Sequence, residues 1–116
     1  VYSMLFTWDP RKSDANLQAR GFDFAFASLI FGGTTLEIED RRKAYGESRS
    51  VAIGMAEEFH LTLVYTDRFD ARGQVTRRII SARRSNQRER EAYRKAIQRR
   101  DAWPREGGPA SPSRDD

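Results

Sequence analysis

Four short segments between residues 34 and 82 have the composition of β-strands, and only short polar stretches connect them. They cover residues 34–39, 49–56, 59–66 and 75–82. Apolar and β-branched side chains dominate these segments, often at every second position, which is the period of a strand. An antiparallel pair of strands is joined by a short turn, whereas a parallel pair needs a crossover of about a dozen residues or more. The four segments therefore predict an antiparallel sheet at the centre of the fold.

Two helices are predicted before these strands. Asp9 can cap the first helix, and Pro10 suits its first position because the N–H that proline lacks is not needed there. Gly21 ends this helix, since glycine accepts the left-handed conformation common at helix C-termini. Asp23 predicts the cap of a second, largely apolar helix over residues 24–31.

The two outer elements complete the pattern. Residues 2–8 are rich in aromatic and apolar side chains and predict a further strand. Residues 87–102 predict a third helix, and Asn86 and Glu89 have the spacing of a capping box at its start. The predicted fold is α+β with the order β-α-α-β-β-β-β-α, an antiparallel sheet packed with two N-terminal helices and one C-terminal helix.

The length of 116 residues suits a single domain. We expect this domain over residues 1–103. Residues 104–116 contain three of the four prolines beside glycines and serines, a composition that predicts a disordered tail.

The composition excludes several kinds of site. There is no cysteine, so a disulfide framework, a thiolate zinc site and a cysteine nucleophile are all excluded. The single histidine, His60, excludes a multi-histidine metal site in one chain, and we expect it to be exposed. No apolar run is long enough to cross a bilayer and no signal-peptide pattern is visible. We therefore expect a cytoplasmic protein with no membrane contact and no cofactor.

The positive charge of the chain is concentrated in one stretch. The net charge is +4, yet residues 68–100 hold 12 Lys or Arg and only 3 Asp or Glu. Within this stretch Arg83 and Arg84 stand at the end of the last strand, directly before the basic helix. Side chains from a sheet and a helix can converge there on a phosphate, which the arginine fork binds well. Such a patch is typical of a nucleic-acid footprint or of a docking site for an acidic protein.

Several separated pieces of the chain match one toxin family in their order and spacing. The pieces are Phe6-Thr7-Trp8-Asp9-Pro10, Gly21-Phe22-Asp23-Phe24, Arg49-Ser50-Val51-Ala52-Ile53-Gly54, Leu61-Thr62-Leu63-Val64-Tyr65-Thr66, and Ile79-Ile80-Ser81-Ala82-Arg83-Arg84 with Glu89, Arg90 and Tyr93. Over roughly residues 4–93 the chain resembles the BrnT family of type II toxins, which are ribonucleases with a RelE-like fold. It departs from the family at Ala19 and Arg20, where relatives commonly have lysine and histidine.

The resemblance implies a small toxin that cleaves RNA and arrests growth. It also implies neutralisation by a BrnA-type antitoxin with a ribbon-helix-helix domain, so that operator DNA is bound only through the antitoxin. A toxin dimer within a heterotetramer follows from the same resemblance. RNA can be cleaved without a metal ion, because its own 2′-hydroxyl attacks the adjacent phosphate.

Four residues are candidates for catalysis. Arg83 is the first choice for the phosphate, with a structural ion pair to Glu89 as the alternative. Arg49 either meets Arg83 across the sheet or is an exposed arginine at a strand end. Glu89 is either a general base, weakened because arginines lower its pKa, or a carboxylate favoured by the helix dipole. Tyr65 either stacks on a base or donates a proton.

Further basic residues are candidates for RNA binding. Arg77 and Arg78 point to opposite faces of a strand, so only one of them faces the site. Lys12 and Arg20 form either a second basic edge or a solvated helix face. The arginines of the last helix hold either RNA or the antitoxin. The RNA-binding candidates are Lys12, Arg20, Arg77, Arg78, Arg84 and Arg88, and no metal ligand is expected.

Two functions without chemistry remain as alternatives. One is a nucleic-acid-binding module, which the missing histidine allows. The other is a protein-interaction domain whose basic helix docks on an acidic antitoxin.

Overall fold

The computed structural model describes residues 4–40 and 48–102. Its element order confirms the α+β class and the predicted sequence of strands and helices. The predicted tail over residues 104–116 lies outside the described residues. The elements are β1 (Leu5–Trp8), α1 (Pro10–Arg20), α2 (Phe24–Ala27), a 3₁₀ helix (Ser28–Gly32), β2 (Leu36–Asp40), β3 (Arg49–Ala56), β4 (Phe59–Phe69), β5 (Val75–Arg84) and α3 (Gln87–Ala102).

The five strands form one mixed sheet in the order β1-β5-β4-β3-β2. Strands β2 to β5 make the predicted antiparallel meander. Strand β1 instead pairs with β5 in parallel, so the expectation of an antiparallel sheet holds for four of the five strands. The physical reason is that no hairpin joins β1 to β5. All the other strands and two helices lie between them in the chain, so a short turn does not fix their direction.

A bulge in β5 changes which side chains share a face. Val64 pairs with Ser81, and Tyr65 pairs with Ile79, so Ile80 is an extra residue in β5. Side chains alternate along a strand, and one extra residue reverses the alternation beyond it. Tyr65 and Ile79 therefore lie on the same face of the sheet.

That face, the helical face, carries α1, α2 and the 3₁₀ helix and contains the core. Its central strands contribute small and branched residues that are fully buried. The helices cover them with Phe24 and Ile30, which are also nearly inaccessible. The buried residues of this cluster are Phe22, Phe24, Ala27, Ile30, Ala52, Ala56, Leu61, Leu63, Tyr65, Ile79 and Ala82. Helix α3 packs against the opposite face, the α3 face.

The second predicted helix is split into two short pieces. Helix α2 ends at Ala27, and the chain continues as the 3₁₀ helix instead of one helix over residues 24–31. The Ser28 hydroxyl donates to the Ala25 carbonyl, a local bond that competes with regular helical pairing. The 3₁₀ helix then packs closely on β3, where a Cβ at Gly54 would lie 3.1 Å from Ile30 Cβ. Glycine at this position makes the close approach possible.

The capping predictions for the first two helices are confirmed. Asp9 accepts a hydrogen bond from the Arg11 N–H, and Asp23 accepts one from the Phe26 N–H. Gly21 ends α1 with a left-handed φ of 86°. These caps fix where the two helices begin and where α1 ends, and the C-terminal end of α1 lies beside β5, where the candidate site begins.

Candidate functional site

Strand β5 ends with two arginines on opposite faces of the sheet. Arg83 lies on the α3 face, where its guanidinium forms two hydrogen bonds to the Glu89 carboxylate, at 2.8 and 2.6 Å. Arg84 lies on the helical face, with its guanidinium carbon 4.8 Å from the centre of the Phe59 ring. The Arg83 side chain is 45% exposed, so it is held in place yet open to solvent. Both predicted arginines therefore lie at the strand end, and each guanidinium contacts a defined partner, Glu89 for Arg83 and Phe59 for Arg84.

Glu89 orients Arg83 and caps α3 at the same time. Besides the two bonds from Arg83, it accepts hydrogen bonds from the Thr62 hydroxyl and the Asn86 N–H. Asn86 in return accepts from the Glu89 N–H, which confirms the predicted capping box. The hydrogen bonds from Arg83 are the main reason that the pKa of Glu89 falls to about 2. A carboxylate so strongly stabilised as an anion is a poor general base and a good anchor for an arginine.

Arg20 joins these two arginines from α1. Its guanidinium donates to the Asn16 amide oxygen at 2.7 Å and to the Ala82 carbonyl at 3.3 Å. The buried Asn16 is itself fixed, since it donates to the Phe22 carbonyl at 2.9 Å. Strand β1 ends opposite Ile79, and Arg20 contacts the edge of β5 beyond that point. Arg20, Arg83 and Arg84 thus surround one end of the sheet, which we call the arginine end.

Helix α3 continues the basic surface away from the arginine end. Arg88 is exposed near its start, and Arg90 donates to the Ser85 carbonyl at 2.7 Å. Arg94 forms an ion pair with Glu91, one turn away. The exposed basic residues of α3 are Arg88, Arg90, Arg94, Lys95, Arg99 and Arg100.

The apolar side of α3 rests on the sheet through Tyr93. The Tyr93 hydroxyl donates to the Thr34 carbonyl at 3.0 Å, and its ring lies 5.9 Å from that of His60 in an edge-on contact. His60 is therefore partly buried, and the expectation that it is exposed is wrong. An aromatic partner on α3, 33 positions away, covers it.

Arg77 and Tyr65 belong to a different part of the molecule. Both lie on the helical face, and the Arg77 guanidinium carbon is 4.1 Å from the centre of the Tyr65 ring. Arg77 is 9% exposed and forms a two-point ion pair with Asp67, with both bonds at 2.7 Å. Burial alone would lower the pKa of Arg77, but the hydrogen bonds from its guanidinium to Asp67 and the charges of the acidic groups around it together raise the pKa above its usual value. Arg78 is partly buried on the α3 face, so Arg77 is the one of the two that enters the helical face.

Arg49 does not meet Arg83. Thr62 of β4 is the register partner of both Arg83 and Ile53, and Arg49 lies four residues before Ile53 on β3. Four residues along a strand span roughly 13 Å. Of the two alternatives for Arg49, the meeting with Arg83 across the sheet is wrong, because the register places these arginines at opposite ends of the α3 face.

The four catalytic candidates are therefore not gathered at one place. Arg83 and Glu89 are together at the arginine end, whereas Arg49 and Tyr65 lie towards the other end and on different faces. Of the RNA-binding candidates, Arg20 and Arg84 are at the arginine end, and Arg88 follows on α3. Lys12 is exposed on the first turn of α1.

Glu37 is a polar residue of the helical face that the sequence reading missed. Tyr65 donates to its carboxylate at 2.6 Å, and the Thr35 hydroxyl donates to the other oxygen at 2.6 Å. Burial alone would raise the pKa of Glu37, but these hydrogen bonds and the charge of Arg77 lower it below the usual value. Burial and the bond to Glu37 raise the pKa of Tyr65. The alternation of side chains along β2 could have indicated this position, because it places Glu37 on the same face of the sheet as Ala52.

Among the residues that the structure describes, two groups line clefts on the helical face. One, of about 290 Å³, lies between the end of α1 and β4 and is mostly apolar, with Leu17, Phe26, Phe59 and Arg84 among its walls. The other, of about 570 Å³, is called the Glu37 cleft here. Its walls include Met4, Phe6, Leu29, Phe31, Glu37 and Arg77.

In residues 4–40 and 48–102, no three or more His, Cys, Asp and Glu side chains are grouped so that they could hold a metal ion. In the same ranges, no helix is long and apolar enough to cross a membrane.

The chain matches a known protein family. Residues 8–89 match the model of the family described as the ribonuclease toxin BrnT of type II toxin–antitoxin systems. The matched stretch contains Arg20, Arg83, Arg84 and Glu89, and it ends in the first turn of α3. No curated protein matches the chain.

Proposed function

Since the chain belongs to the BrnT family of ribonuclease toxins of type II toxin–antitoxin systems, we propose that it cuts RNA at the arginine end, without a metal ion. Membership in this family gives the protein RNA as its target and an antitoxin as its partner. The observation that supports the location is that three arginines from two elements lie around one end of β5, with Arg83 on one face of the sheet, Arg84 on the other and Arg20 at the edge of the strand.

The reaction needs no group beyond those that RNA, the protein and solvent water supply. The 2′-hydroxyl gives its proton to water and attacks the adjacent phosphorus, and the bond to the 5′-oxygen of the next nucleotide breaks. That oxygen takes a proton from water, so the products are a 2′,3′-cyclic phosphate and a free 5′-hydroxyl. Negative charge builds up on the phosphate oxygens in the transition state, where a fixed guanidinium stabilises it.

Arg83 is the residue proposed to contact this phosphate. Its two bonds to Glu89 fix the guanidinium before RNA arrives, so less conformational freedom is lost on binding. Glu89 is then a positioning residue, because its low pKa and its four hydrogen bonds keep it an anion that anchors Arg83. Arg20 stands where relatives commonly have histidine, and it adds positive charge beside the same strand end.

The surroundings of the arginine end suit single-stranded RNA. The apolar cleft beside Arg84 offers the Phe26 and Phe59 rings to a base on one side of the phosphate. On the other side, the exposed basic residues of α3 give the RNA backbone or an acidic antitoxin segment a charged surface. Arg49 and Tyr65 lie too far away to join the same phosphate.

The partners are proposed from the same family membership. The antitoxin is of the BrnA type, with a ribbon-helix-helix domain that carries the complex to operator DNA. A toxin dimer forms the centre of a heterotetramer, and the complex resides in the cytoplasm. The neighbouring gene tests this directly, because a BrnA-type antitoxin predicts an adjacent reading frame for a small ribbon-helix-helix protein.

The reaction is tested by incubating the purified protein with RNA in EDTA and mapping the new ends. We expect cleavage that leaves 2′,3′-cyclic phosphates, and no cleavage at a nucleotide whose 2′-hydroxyl is replaced by hydrogen. Cleavage at the 2′-deoxy position would refute the proposed attack. Salt-sensitive RNA binding without cleavage, at every protein concentration, would instead favour a non-catalytic nucleic-acid-binding module.

A further inference from the structure

The Glu37 cleft combines apolar walls with a fixed pair of charged groups, and it lies away from the arginine end. Met4 and Leu29 line it although they are 37% and 50% exposed. Large apolar side chains left exposed around polar groups are typical of a ligand site. Phe6 and Phe31 also line the cleft and form a stacked pair, with ring centres 5.6 Å apart. Such walls suit a flat, apolar ring system.

The charges of the cleft argue against a phosphate as its ligand. Asp67 engages Arg77 through Nε and Nη2, so the charge of this guanidinium is already balanced. Glu37 adds a further carboxylate, and the three side chains together carry a net charge of −1. A phosphate would be repelled here, whereas a neutral ring with hydrogen-bond donors would not.

The Glu37 carboxylate is preset to accept hydrogen bonds from a ligand. Tyr65 and Thr35 each donate to one of its oxygens and so hold the carboxylate in a single orientation. Each carboxylate oxygen has two acceptor positions, so each retains one for a ligand. Glu37 is also exposed on β2, where a ligand in the cleft can reach it.

The ligand that this arrangement fits best is guanine. The Watson–Crick edge of guanine presents two adjacent donors, N1–H and N2–H, with the spacing of the two oxygens of a carboxylate. Adenine and cytosine each present one donor beside an acceptor, and uracil presents one donor between two acceptors. In the other bases, a hydrogen-bond acceptor would face one of the carboxylate oxygens and be repelled by it. Guanine alone offers a donor to each of the two oxygens.

We propose that the Glu37 cleft binds a guanine base of single-stranded RNA, with the Glu37 carboxylate accepting its N1–H and N2–H. This inference rests on the proposed ribonuclease function and adds a base preference to it. Unstacked bases that insert between apolar side chains and are read on their Watson–Crick edge are the usual basis of sequence-specific recognition of single-stranded RNA. The guanine lies outside the arginine end, so the cleft selects the sequence and does not cut the chain.

The test measures binding of fluorescent uridine heptamers with guanine, hypoxanthine or adenine at the centre. The 2′-hydroxyls are replaced by fluorine, so the heptamers resist the proposed cleavage. We expect guanine to bind about 10-fold or more tightly than adenine, since each hydrogen bond to a charged acceptor changes affinity by about that factor. Hypoxanthine lacks the N2 amino group and should bind with intermediate affinity.

Two isosteric variants locate the preference. Glu37→Gln keeps the shape of the side chain but replaces one acceptor with a donor, so the guanine preference should disappear. Glu39→Gln removes the same charge from the same strand, outside the residues that line the cleft, and should keep the preference. Equal thermal unfolding midpoints for both variants would show that the fold is intact.

The outcomes separate this inference from the function on which it rests. Equal affinity for guanine and adenine, with binding still weakened by Arg83→Ala, would overturn the guanine site and leave the ribonuclease proposal in place. If no heptamer binds, both the guanine site and the ribonuclease proposal are overturned. A Glu37→Gln variant that keeps the guanine preference but no longer binds the antitoxin would make the cleft a protein-docking site and overturn the inference.

Discussion

Replacing Glu89 with glutamine separates the two roles of this side chain. Glutamine keeps one oxygen, which can still accept from the Asn86 N–H and the Thr62 hydroxyl. Its amide nitrogen takes the place of the oxygen that lies 2.6 Å from Arg83 Nη2, which brings two donors together. The cap of α3 therefore survives, whereas Arg83 loses one of its two hydrogen bonds and the negative charge that holds it in place.

The size of the effect follows from the exposure of the pair. Arg83 is 45% exposed, so loss of its ion pair should lower the free energy of unfolding by about 1 kcal/mol at pH 7. Glu89→Ala also removes the cap, which should cost about 1 kcal/mol more. The glutamine variant should also cleave RNA more slowly, because Arg83 is no longer held for the phosphate.

The stabilisation by Glu89 should decrease as the pH falls. The pKa of Glu89 is about 2 in the folded protein, below the ordinary value of 4.5, so its contribution to the free energy of unfolding is essentially complete above pH 4.5. It is lost as the pH falls from 4.5 towards 2, and more than half is lost at pH 3. Urea unfolding of both proteins at pH 7 and pH 3 measures this. The difference in free energy of unfolding between the wild type and Glu89→Gln should be smaller at pH 3 than at pH 7. An equal difference at both pH values would refute the role given to Glu89.

Three further predictions concern the close contacts and charges of the fold. Gly54→Val should lower the free energy of unfolding by about 1–3 kcal/mol, because even a Cβ lies 3.0 Å from Thr35 and 3.1 Å from Ile30; an unchanged urea midpoint would contradict this packing. Asp67→Ala should lower it by about 2–3 kcal/mol, because it leaves the nearly buried Arg77 without its two-point partner; a loss below 0.5 kcal/mol, as expected for a surface substitution, would count against that contact. If about four phosphates are contacted, the logarithm of single-strand affinity should fall against the logarithm of salt concentration with a slope near −2.8; a flat titration would exclude the basic surface as the RNA contact.

Local signals made most of the fold predictable. Asp9, Gly21 and Asp23 fix the ends of the first two helices through contacts with nearby residues, and such contacts are visible in sequence. The antiparallel pairing of β2 to β5 was equally predictable, because short turns leave few choices of pairing. The position of β1 beside β5 could not be predicted, since it depends on packing between segments far apart in the chain.

The candidate site was less predictable because it depends on register. Without the extra residue Ile80, Arg78 instead of Arg77 would lie opposite Asp67 on the helical face. The bulge has no marker in sequence, so alternation alone left the choice between the two arginines open. Glu37 was missed for a similar reason, because 28 positions separate it from Tyr65 and only the order of strands brings them together.

The arginine end was predictable because its parts are close in sequence. Arg83 and Glu89 are six residues apart, and the capping box fixes how the helix leaves the strand. Both sequence interpretations of this pair proved compatible, since the ion pair to Glu89 holds Arg83 in place and still leaves it 45% exposed. The contact of Arg20 with β5 was not predictable, because a helix face alone does not show which strand it contacts.

The most direct test of the account compares RNA cleavage in EDTA by the wild-type protein, Arg83→Ala and Arg72→Ala. Arg72 is an exposed arginine in the turn before β5, at the far end of that strand, so it controls for the loss of one positive charge. We expect Arg83→Ala to reduce the cleavage rate by about 10²-fold, as loss of one fixed donor to a developing anion does. Arg72→Ala should cleave at close to the wild-type rate. Equal cleavage by the wild type and Arg83→Ala would contradict the claim that the arginine end carries out the chemistry.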